Sequence, residues 1–355
     1  MQQAQQLSGQ IVDPDQEMAV TVAGAPEHAP QGSTDRLLVR LARNRDLVLL
    51  AIAAAVFAVF SLTTATFLRE FNLYNILRSI SLISIVAVGM TYVLIAGEID
   101  LSVGSVYGVL TVAMGMLVAV VGLSPWVAMP IVILIGIGIG AVNGLFIVGF
   151  GIPSFITTLA MLAGYRSLAL IISHEKPFTP RGGSTFYDLT GGELLGQVPW
   201  LILWMLPVAV VGGIVLARTR FGYHVYATGG NREAARDSGI AVQRVRWLVF
   251  MLTSALCGLA AALVFGYLQV AGPTTGVGFE FRVIGAVVVG GTALTGGRGS
   301  IAGTLLGAVV IGMITGGMVL YGYSQNVGDI ATGLLIVVVG SLDLALRRHL
   351  RNRFG

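Results

Sequence analysis

Long apolar runs alternate with short polar breaks along most of the chain. Most runs are close to 20 residues, the length that a helix needs to cross the hydrocarbon core of a bilayer. They predict ten spans, at 47–67, 75–97, 102–121, 126–148, 153–173, 199–217, 246–271, 282–295, 300–320 and 328–346. The predicted fold is all-α, a polytopic integral membrane helix bundle with about ten transmembrane helices.

Composition supports this class. The 355 residues are 55% hydrophobic and 11% charged, and the mean hydropathy is +0.85. A soluble domain must cover its surface with polar groups, so this balance argues against a soluble fold. Glycine recurs at four-residue spacing in two segments, at Gly136, Gly140 and Gly144 and at Gly299, Gly303 and Gly307. Such stripes predict helices that pack closely within lipid.

Positive charge sets the predicted orientation. With both termini in the cytoplasm, most of the 21 Lys and Arg residues lie on the cytoplasmic side of the predicted spans, as the positive-inside rule requires. Residues 1–35 are predicted to be a disordered cytoplasmic tail and 347–355 a basic cytoplasmic tail. Between them, 36–346 form the transmembrane domain, with a cytoplasmic loop at 218–246. Topology thus explains the net charge of +4, and no nucleic-acid partner is expected.

The chain offers few groups for metal or nucleotide chemistry. Cys257 is the single cysteine, and none of the four histidines has a second ligand at helical spacing, so no metal site is expected. The single lysine, Lys176, lies between Glu175 and Pro177 and cannot serve a Walker A loop. Any process of this protein that used ATP would therefore need a nucleotide-binding loop from another polypeptide.

The stretch GGNREAARDSG is far more polar than its surroundings. It predicts a short amphipathic helix at the membrane surface, with Glu233, Arg236 and Asp237 facing water. Ala234 and Ala235 would allow close approach by another protein, and Gly239 would end the helix in the left-handed conformation. An ordinary charged cytoplasmic loop is the alternative.

This stretch resembles the Glu-Ala-Ala loop of ABC importer permeases. Three further segments are similar to the branched-chain amino acid and sugar permeases of that group, namely AGEIDLSVGS, NGLFIVGFGIPSFITTLAML and GVGFEFRVIGAVVVGGTALTGGRGS. The resemblance extends over about residues 45–346. It identifies the chain as similar to the permease subunit of a ribose/xylose-type carbohydrate importer.

The resemblance implies an ATP-driven importer. In that group the loop forms a coupling helix that docks on an ATP-hydrolysing subunit, so the implied coupling residues are Asn231, Glu233, Ala234, Ala235 and Gly239. This chain would bind no cofactor, and ATP–Mg would be used by the partner ATPase subunits. A second permease copy, identical or not, and a periplasmic or extracellular sugar-binding protein are the other implied partners. The implied location is the bacterial inner (plasma) membrane.

Polar and ionisable groups at the spans are candidates for the translocation pathway, because such groups are costly to bury in lipid. They are Glu98, Asp100, Tyr107, Asn143, Tyr165, Arg166 and Glu280. A monosaccharide or polyol would need such donors and acceptors together with aromatic faces. Structural alternatives remain: Asp100 capping the helix that starts near Ser102, Arg166 reaching the outer headgroups, and Asn143 joining two helices.

Three other functions are alternatives. An amino acid ABC permease would share this architecture, although EIDLSVGS favours sugars. An ion-coupled secondary transporter would need carboxylates near the bilayer centre, and the sequence places none well. An intramembrane enzyme would need a catalytic set on facing spans, and none is found, so a transport subunit and not an enzyme is predicted.

Overall fold

The computed structural model describes residues 45–354, so the predicted tail 1–35 lies outside the described residues. Within this range there are nine long helices: α1 Arg45–Thr63, α2 Glu70–Ile95, α3 Val103–Ala119, α4 Pro125–Gly144, α5 Ser154–Ser173, α7 Trp200–Arg218, α10 Val242–Leu268, α12 Ile301–Leu320 and α13 Gln325–Phe354. Four are shorter: α6 Thr185–Gly191, α8 Arg220–Gly230, α9 Arg232–Asp237 and α11 Phe279–Val289. A π-helical turn, Leu145–Gly149, continues α4, and strands β1 Glu193–Leu194 and β2 Val198–Pro199 form a small antiparallel hairpin.

The predicted all-α class is confirmed. Among the described residues, six helices are long and apolar enough to cross a membrane: Glu70–Ile95, Pro125–Gly149, Ser154–Ser173, Trp200–Arg218, Val242–Leu268 and Ile301–Leu320. Three shorter apolar helices, Leu47–Thr63, Val103–Ala119 and Asn326–Ser341, match three further predicted spans. The total of ten spans stays a prediction, as do the orientation and the domain boundaries.

The predicted eighth span has the wrong bounds. Helix α11 has 11 residues, which rise about 16 Å, roughly half of a hydrocarbon core. It begins after Gly276 and Gly278, whose positive φ angles of 87° and 76° turn the chain. It ends at Gly290 and Gly291, and Gly291 has a φ of 96°. These glycines break the apolar run into a half-length helix that starts inside the bundle.

Two helices form the centre of the bundle. Of the most apolar 18 residues of each helix, 89% are buried in α2 and 67% in α10. The buried share is only 17% in α5 and in α7. Helix α2 packs against α7, α10, α11 and α12, while α4 packs along α10. The apolar outer faces of α5 and α7 are thus free to contact lipid or another chain.

Glycine brings α4 and α10 into close contact. A Cβ atom at Gly140 would lie 2.5 Å from the carbonyl oxygen of Phe250 and 2.6 Å from the Cα atom of Met251. Gly138, on the opposite face of α4, has no atom within 4 Å of such a Cβ. The close packing predicted from this glycine stripe is confirmed, and the second stripe packs in the same way on α11 through Gly303 and Gly307.

The loop between α7 and α10 contains two helices, of which only α9 was predicted. Helix α8 begins at the Thr219 cap, whose Oγ1 accepts a 3.3 Å hydrogen bond from the amide of Gly222. Asn231 ends α8 and also caps α9, with an extended backbone at φ −155° and ψ 107°. The two helices therefore meet at a single residue.

Candidate functional site

Helix α9 is fixed at both ends by local hydrogen bonds. The Asn231 Oδ1 atom accepts from the amides of Glu233 and Ala234, both at 3.1 Å, which satisfies two of the free donors of the first turn. Gly239 has a φ of 81°, and its amide donates to the carbonyl oxygen of Arg236 at 2.9 Å. The left-handed end predicted for this helix is confirmed.

The two faces of α9 differ from the prediction in one residue. Glu233, Ala234, Arg236 and Asp237 are exposed. Ala235 is only 4% exposed, because it faces the bundle, where α9 packs against α8 and α10. The prediction that both alanines are open to a partner is therefore wrong for Ala235. Of the two alanines, only Ala234 is exposed to a partner, and the acidic residues Glu233 and Asp237 lie before and after it in the helix.

Glu98 lies at the base of α9. Its carboxylate is 3% exposed and accepts a 2.6 Å hydrogen bond from Nε of Arg246 on α10. It also accepts from Nη2 of Arg232, the first residue of α9, and the same Nη2 donates to the carbonyl oxygen of Gly97 at 2.9 Å. Two guanidinium groups compensate the buried carboxylate, which would otherwise be costly to desolvate.

A cavity of about 400 Å³ opens beside this ion-pair cluster. It is lined by Gly97, Glu98, Ile147, Gly151, Ile152, Pro153, Ser154, Arg232, Gln243 and Arg246. The cavity thus brings the end of α2 together with the turn between α4 and α5 and with the start of α9. Glu98 lines this cavity, whereas the other predicted pathway residues lie in two buried clusters deeper in the bundle.

Three of those residues form one hydrogen-bonded chain. The Asp100 Oδ1 atom accepts from the Ser102 hydroxyl at 2.6 Å, and that hydroxyl accepts from Nδ2 of Asn143 at 3.0 Å. The Tyr165 hydroxyl donates to Oδ1 of Asn143 at 2.8 Å. The chain joins α4 and α5 to the start of α3, which confirms the helix-joining role considered for Asn143.

Asp100 closes the turn before α3 and does not cap its first turn. Its Oδ1 atom also accepts from the amide of Ser102 at 2.9 Å, and the helix begins one residue later, at Val103. Among the residues that the structure describes, the second oxygen of Asp100 is a buried atom without a hydrogen-bond partner. An acceptor in this state is free to bind a donor that enters the site.

Arg166 and Glu280 lie at a second polar cluster, where α3 and α11 begin. Nη2 of Arg166 donates to the carbonyl oxygen of Gly276 at 3.2 Å, so this side chain does not extend to the outer headgroups. The Glu280 carboxylate lies against Gly104, where a Cβ would collide with it. Within the described part of the chain, Nη1 of Arg166 and Oε2 of Glu280 are buried without hydrogen-bond partners. A free donor and a free acceptor are therefore available here.

Tyr107 supports this cluster through packing. Its ring stacks on Phe279 with a centroid distance of 4.4 Å and an interplanar angle of 17°, and its side chain is buried. The stacked pair joins α3 to the first residue of α11. The arrangement fits a positioning role for the aromatic ring.

Several important residues were missed in the sequence. Ser102 is the central link of the hydrogen-bonded chain, and Thr158 Oγ1 accepts from the amide of Leu101 at 3.1 Å. Arg246 was counted only as a positive charge near a span. The Asp-Leu-Ser motif gave a local signal for Ser102, but nothing in the sequence pairs Arg246 with Glu98. In the described range, no group of three or more His, Cys, Asp or Glu residues is placed to hold a metal ion.

Membrane-length helices around buried polar clusters, with a charged helix at one end, define a multi-pass membrane protein. Its sequence matches the profile of one family over residues 72–340, described as the branched-chain amino acid transport system / permease component. The chain belongs to this family.

The chain is also similar to individual permease proteins, two of which have names that state a sugar. The ribose import permease protein RbsC of Bacillus subtilis (strain 168) is 37% identical over 287 residues, which cover 80% of this chain and 88% of RbsC. The L-arabinose ABC transporter permease protein AraH of Azospirillum brasilense is 36% identical over 282 residues, 78% of this chain and 80% of AraH. The probable ABC transporter permease protein YphD of Escherichia coli (strain K12) is 38% identical over 325 residues, 90% of this chain and 96% of YphD.

Proposed function

We propose that this chain is the permease subunit of an ATP-driven sugar importer in the bacterial inner membrane. It forms the pathway for a monosaccharide or related polyol and takes its energy from separate ATPase subunits, which use ATP–Mg. The observation that carries the proposal is helix α9, which presents Glu233 and Ala234 on an exposed, capped surface at one end of a membrane bundle. Asn231 and Gly239 shape that surface, and Ala235 anchors it from below.

The grouping of the connections supports ten alternating spans with both termini in the cytoplasm. Gly97, Gly151 and Arg232, all assigned to the cytoplasmic side, line one cavity. Phe178 and Ala271, both assigned to the outside, pair through hydrogen bonds of 3.0 and 2.8 Å between their backbones. By the positive-inside rule, the end of the bundle that carries α9 faces the cytoplasm, where ATPase subunits would bind it.

The two buried polar clusters support a hydrophilic cargo. Asp100, Asn143 and Tyr165 supply one set of polar groups, and Arg166 and Glu280 supply the other beside Tyr107. Free donors and acceptors that lie inside a bundle, at the starts of two helices, suit a solute rich in hydroxyl groups. The names of the ribose and L-arabinose permeases favour a sugar over an amino acid as cargo.

The working cycle follows from these contacts. Closure of two ATPase subunits pushes α9, and the bundle rocks between outward-open and inward-open states about its polar centre. A second permease copy completes the pathway, and an external sugar-binding protein delivers the cargo. The apolar outer faces of α5 and α7 are available for the lipid bilayer and for the second copy.

Docking on the ATPase is tested by reversing one exposed charge. Glu233→Lys should weaken binding of the ATPase subunits and abolish ATP-dependent uptake. Glu175→Lys, the same change at an exposed site in the connection after α5, is the matched control and should leave both intact. Unchanged ATPase binding and uptake in Glu233→Lys would contradict the docking role of α9.

The cargo is tested in vesicles that contain the full complex and its binding protein. ATP-dependent uptake of radiolabelled ribose or L-arabinose, and no uptake of leucine, would support the sugar importer. Uptake of leucine instead would identify an amino acid permease. Uptake by the permease alone under an ion gradient would identify a secondary transporter.

A further inference from the structure

We propose that Glu98 is the positioning residue that links helix α9 to the buried polar centre during ATP-driven transport. This inference rests on the proposed function, because it requires α9 to receive the motion of the ATPase. Glu98 acts through its neighbours. Its carboxylate accepts a hydrogen bond from Arg232, and the backbone connects it to Asp100, two residues later.

The first half of the link joins α9 to the segment that follows α2. Arg232 is the first residue of α9, and its Nη2 atom bonds both the Glu98 carboxylate and the carbonyl oxygen of Gly97. Arg246 holds the same carboxylate oxygen from α10 at 2.6 Å. Because Glu98 is 3% exposed and Arg246 13%, solvent screens this ion pair less than a surface pair. A displacement of α9 therefore pulls directly on residues 97–98.

The second half of the link joins that segment to the polar centre. The amide of Ile99 donates to the Ser154 hydroxyl at 3.3 Å, and the amide of Leu101 donates to the Thr158 hydroxyl at 3.1 Å, so α5 guides the segment. Two residues beyond Glu98, the Asp100 carboxylate begins the hydrogen-bonded chain that ends at Tyr165. Every step between Arg232 and this chain is a covalent bond or a direct hydrogen bond.

A second ion pair of similar chemistry provides the matched control. Arg78, near the start of α2, pairs with Glu193 of β1 at 2.9 Å. Arg78 and Glu98 are separated by 20 positions, about 30 Å along a helix, so the two pairs lie at opposite ends of the bundle. Loss of a carboxylate at Glu193, whose side chain is 30% exposed, therefore tests the general cost of breaking a partly buried arginine pair, without touching α9.

The main experiment measures sugar transported per ATP hydrolysed by the full complex in vesicles, with ribose or L-arabinose as the probe. In Glu98→Gln we expect this ratio to fall about tenfold, while ATPase binding and hydrolysis persist. Glu193→Gln should keep the wild-type ratio. Glu98→Asp, which retains the negative charge, should recover part of the loss. A wild-type ratio in Glu98→Gln would overturn the proposal.

A double-mutant cycle tests whether Glu98 and Arg232 act through one shared interaction or have independent effects on transport. Arg232→Gln should lower the ratio to a similar degree, and the double variant Glu98→Gln with Arg232→Gln should be no worse than either single variant. Additive losses would overturn the proposal. Arg232 is 42% exposed, so Arg232→Gln still tests the link if Glu98→Gln fails to fold.

A third measurement needs no cargo. In a Cys257→Ala background, Ile152→Cys places one thiol on the wall of the cavity that Glu98 also lines. Its rate of labelling by a maleimide should differ about fivefold between the nucleotide-free and the ATP–vanadate complex, and this difference should vanish when Glu98→Gln is added. No difference in the starting protein, or a difference that persists in Glu98→Gln, would overturn the link. Failure of the wild-type chain to bind ATPase subunits would instead overturn the proposed function.

Discussion

The amide of Gly297 donates a 2.8 Å hydrogen bond to the carbonyl oxygen of Ile95, the last residue of α2. Gly229, near the end of α8, approaches the same carbonyl so closely that a Cβ would collide with it. The end of α2, the loop between α11 and α12 and the end of α8 therefore meet backbone to backbone. This glycine junction, formed by Gly97, Gly229, Gly296 and Gly297, lies directly beneath the start of α9.

Gly229→Ala should disrupt the glycine junction. Its Cβ would collide with the carbonyl oxygen of Ile95 and lie 2.8 Å from the amide nitrogen of Gly297, and backbone atoms cannot give way cheaply. Overpacking of this kind costs about 1–3 kcal/mol, so the thermal unfolding temperature in detergent should fall. Gly230→Ala is the control, since a Cβ there has no atom within 4 Å. Equal unfolding temperatures for the two variants would contradict the junction.

Asn231→Ala should weaken ATPase binding without unfolding the bundle. Loss of the side-chain acceptor leaves the amides of Glu233 and Ala234 without their cap, at a cost of about 0.5–2 kcal/mol to the helix. If α9 must be folded to dock, the Kd of the permease for its ATPase subunits should rise about tenfold. Asn231→Asp keeps a capping oxygen and should retain binding. Identical Kd values for both variants would show that the cap does not matter for docking.

Gly140→Ala should loosen the contact between α4 and α10. The added methyl group would meet backbone atoms of Phe250 and Met251, whereas the same change at Gly138 meets open space. The expected destabilisation is about 1–3 kcal/mol for Gly140→Ala, while Gly138→Ala should be neutral or slightly stabilising because alanine favours helix. Detergent-induced unfolding of the two variants checks this, and a larger loss for Gly138→Ala would refute the packing.

Tyr165→Phe should impair sugar uptake at low sugar concentration. It removes the donor to Oδ1 of Asn143 and leaves a buried acceptor unpaired, which costs about 1–3 kcal/mol. If the polar chain lines the pathway, the half-saturating sugar concentration should rise about tenfold. Tyr226→Phe is the control, because it removes a comparable hydrogen bond of 2.7 Å to the carbonyl oxygen of Gly299, at the end of the bundle that carries α9. The half-saturating sugar concentration of this variant should not change. A similar rise in both variants would assign Tyr165 a structural role only.

Hydropathy located the long helices because the bilayer imposes one length on every span. It failed at α11, where a window of apolar residues hides the glycines that shorten the helix. It also missed α8, whose buried Val225 and Thr228 and partly buried Phe221 lie among polar neighbours. The spacing of these three residues was a usable local signal for a helix.

The candidate site was predictable only where its signal was local. The turn at Gly239 follows from neighbouring residues and was predicted, whereas the cap at Asn231, which is equally local, was not. The partners of Glu98 are 134 and 148 positions away, at Arg232 and Arg246, so no local pattern could reveal them. Long-range ion pairs of this kind depend on tertiary packing, which a single sequence does not expose.

Asn231 belongs to two helices at once, ending α8 and starting α9. Because only this residue separates them, a tilt of α9 about Asn231 would leave the hydrogen bonds within α8 in place. Helix α9 is six residues long, about 9 Å, and so has little length over which to bend. Under the proposed function, a force on its outer face would therefore reach its amino-terminal end, where Arg232 bonds Glu98.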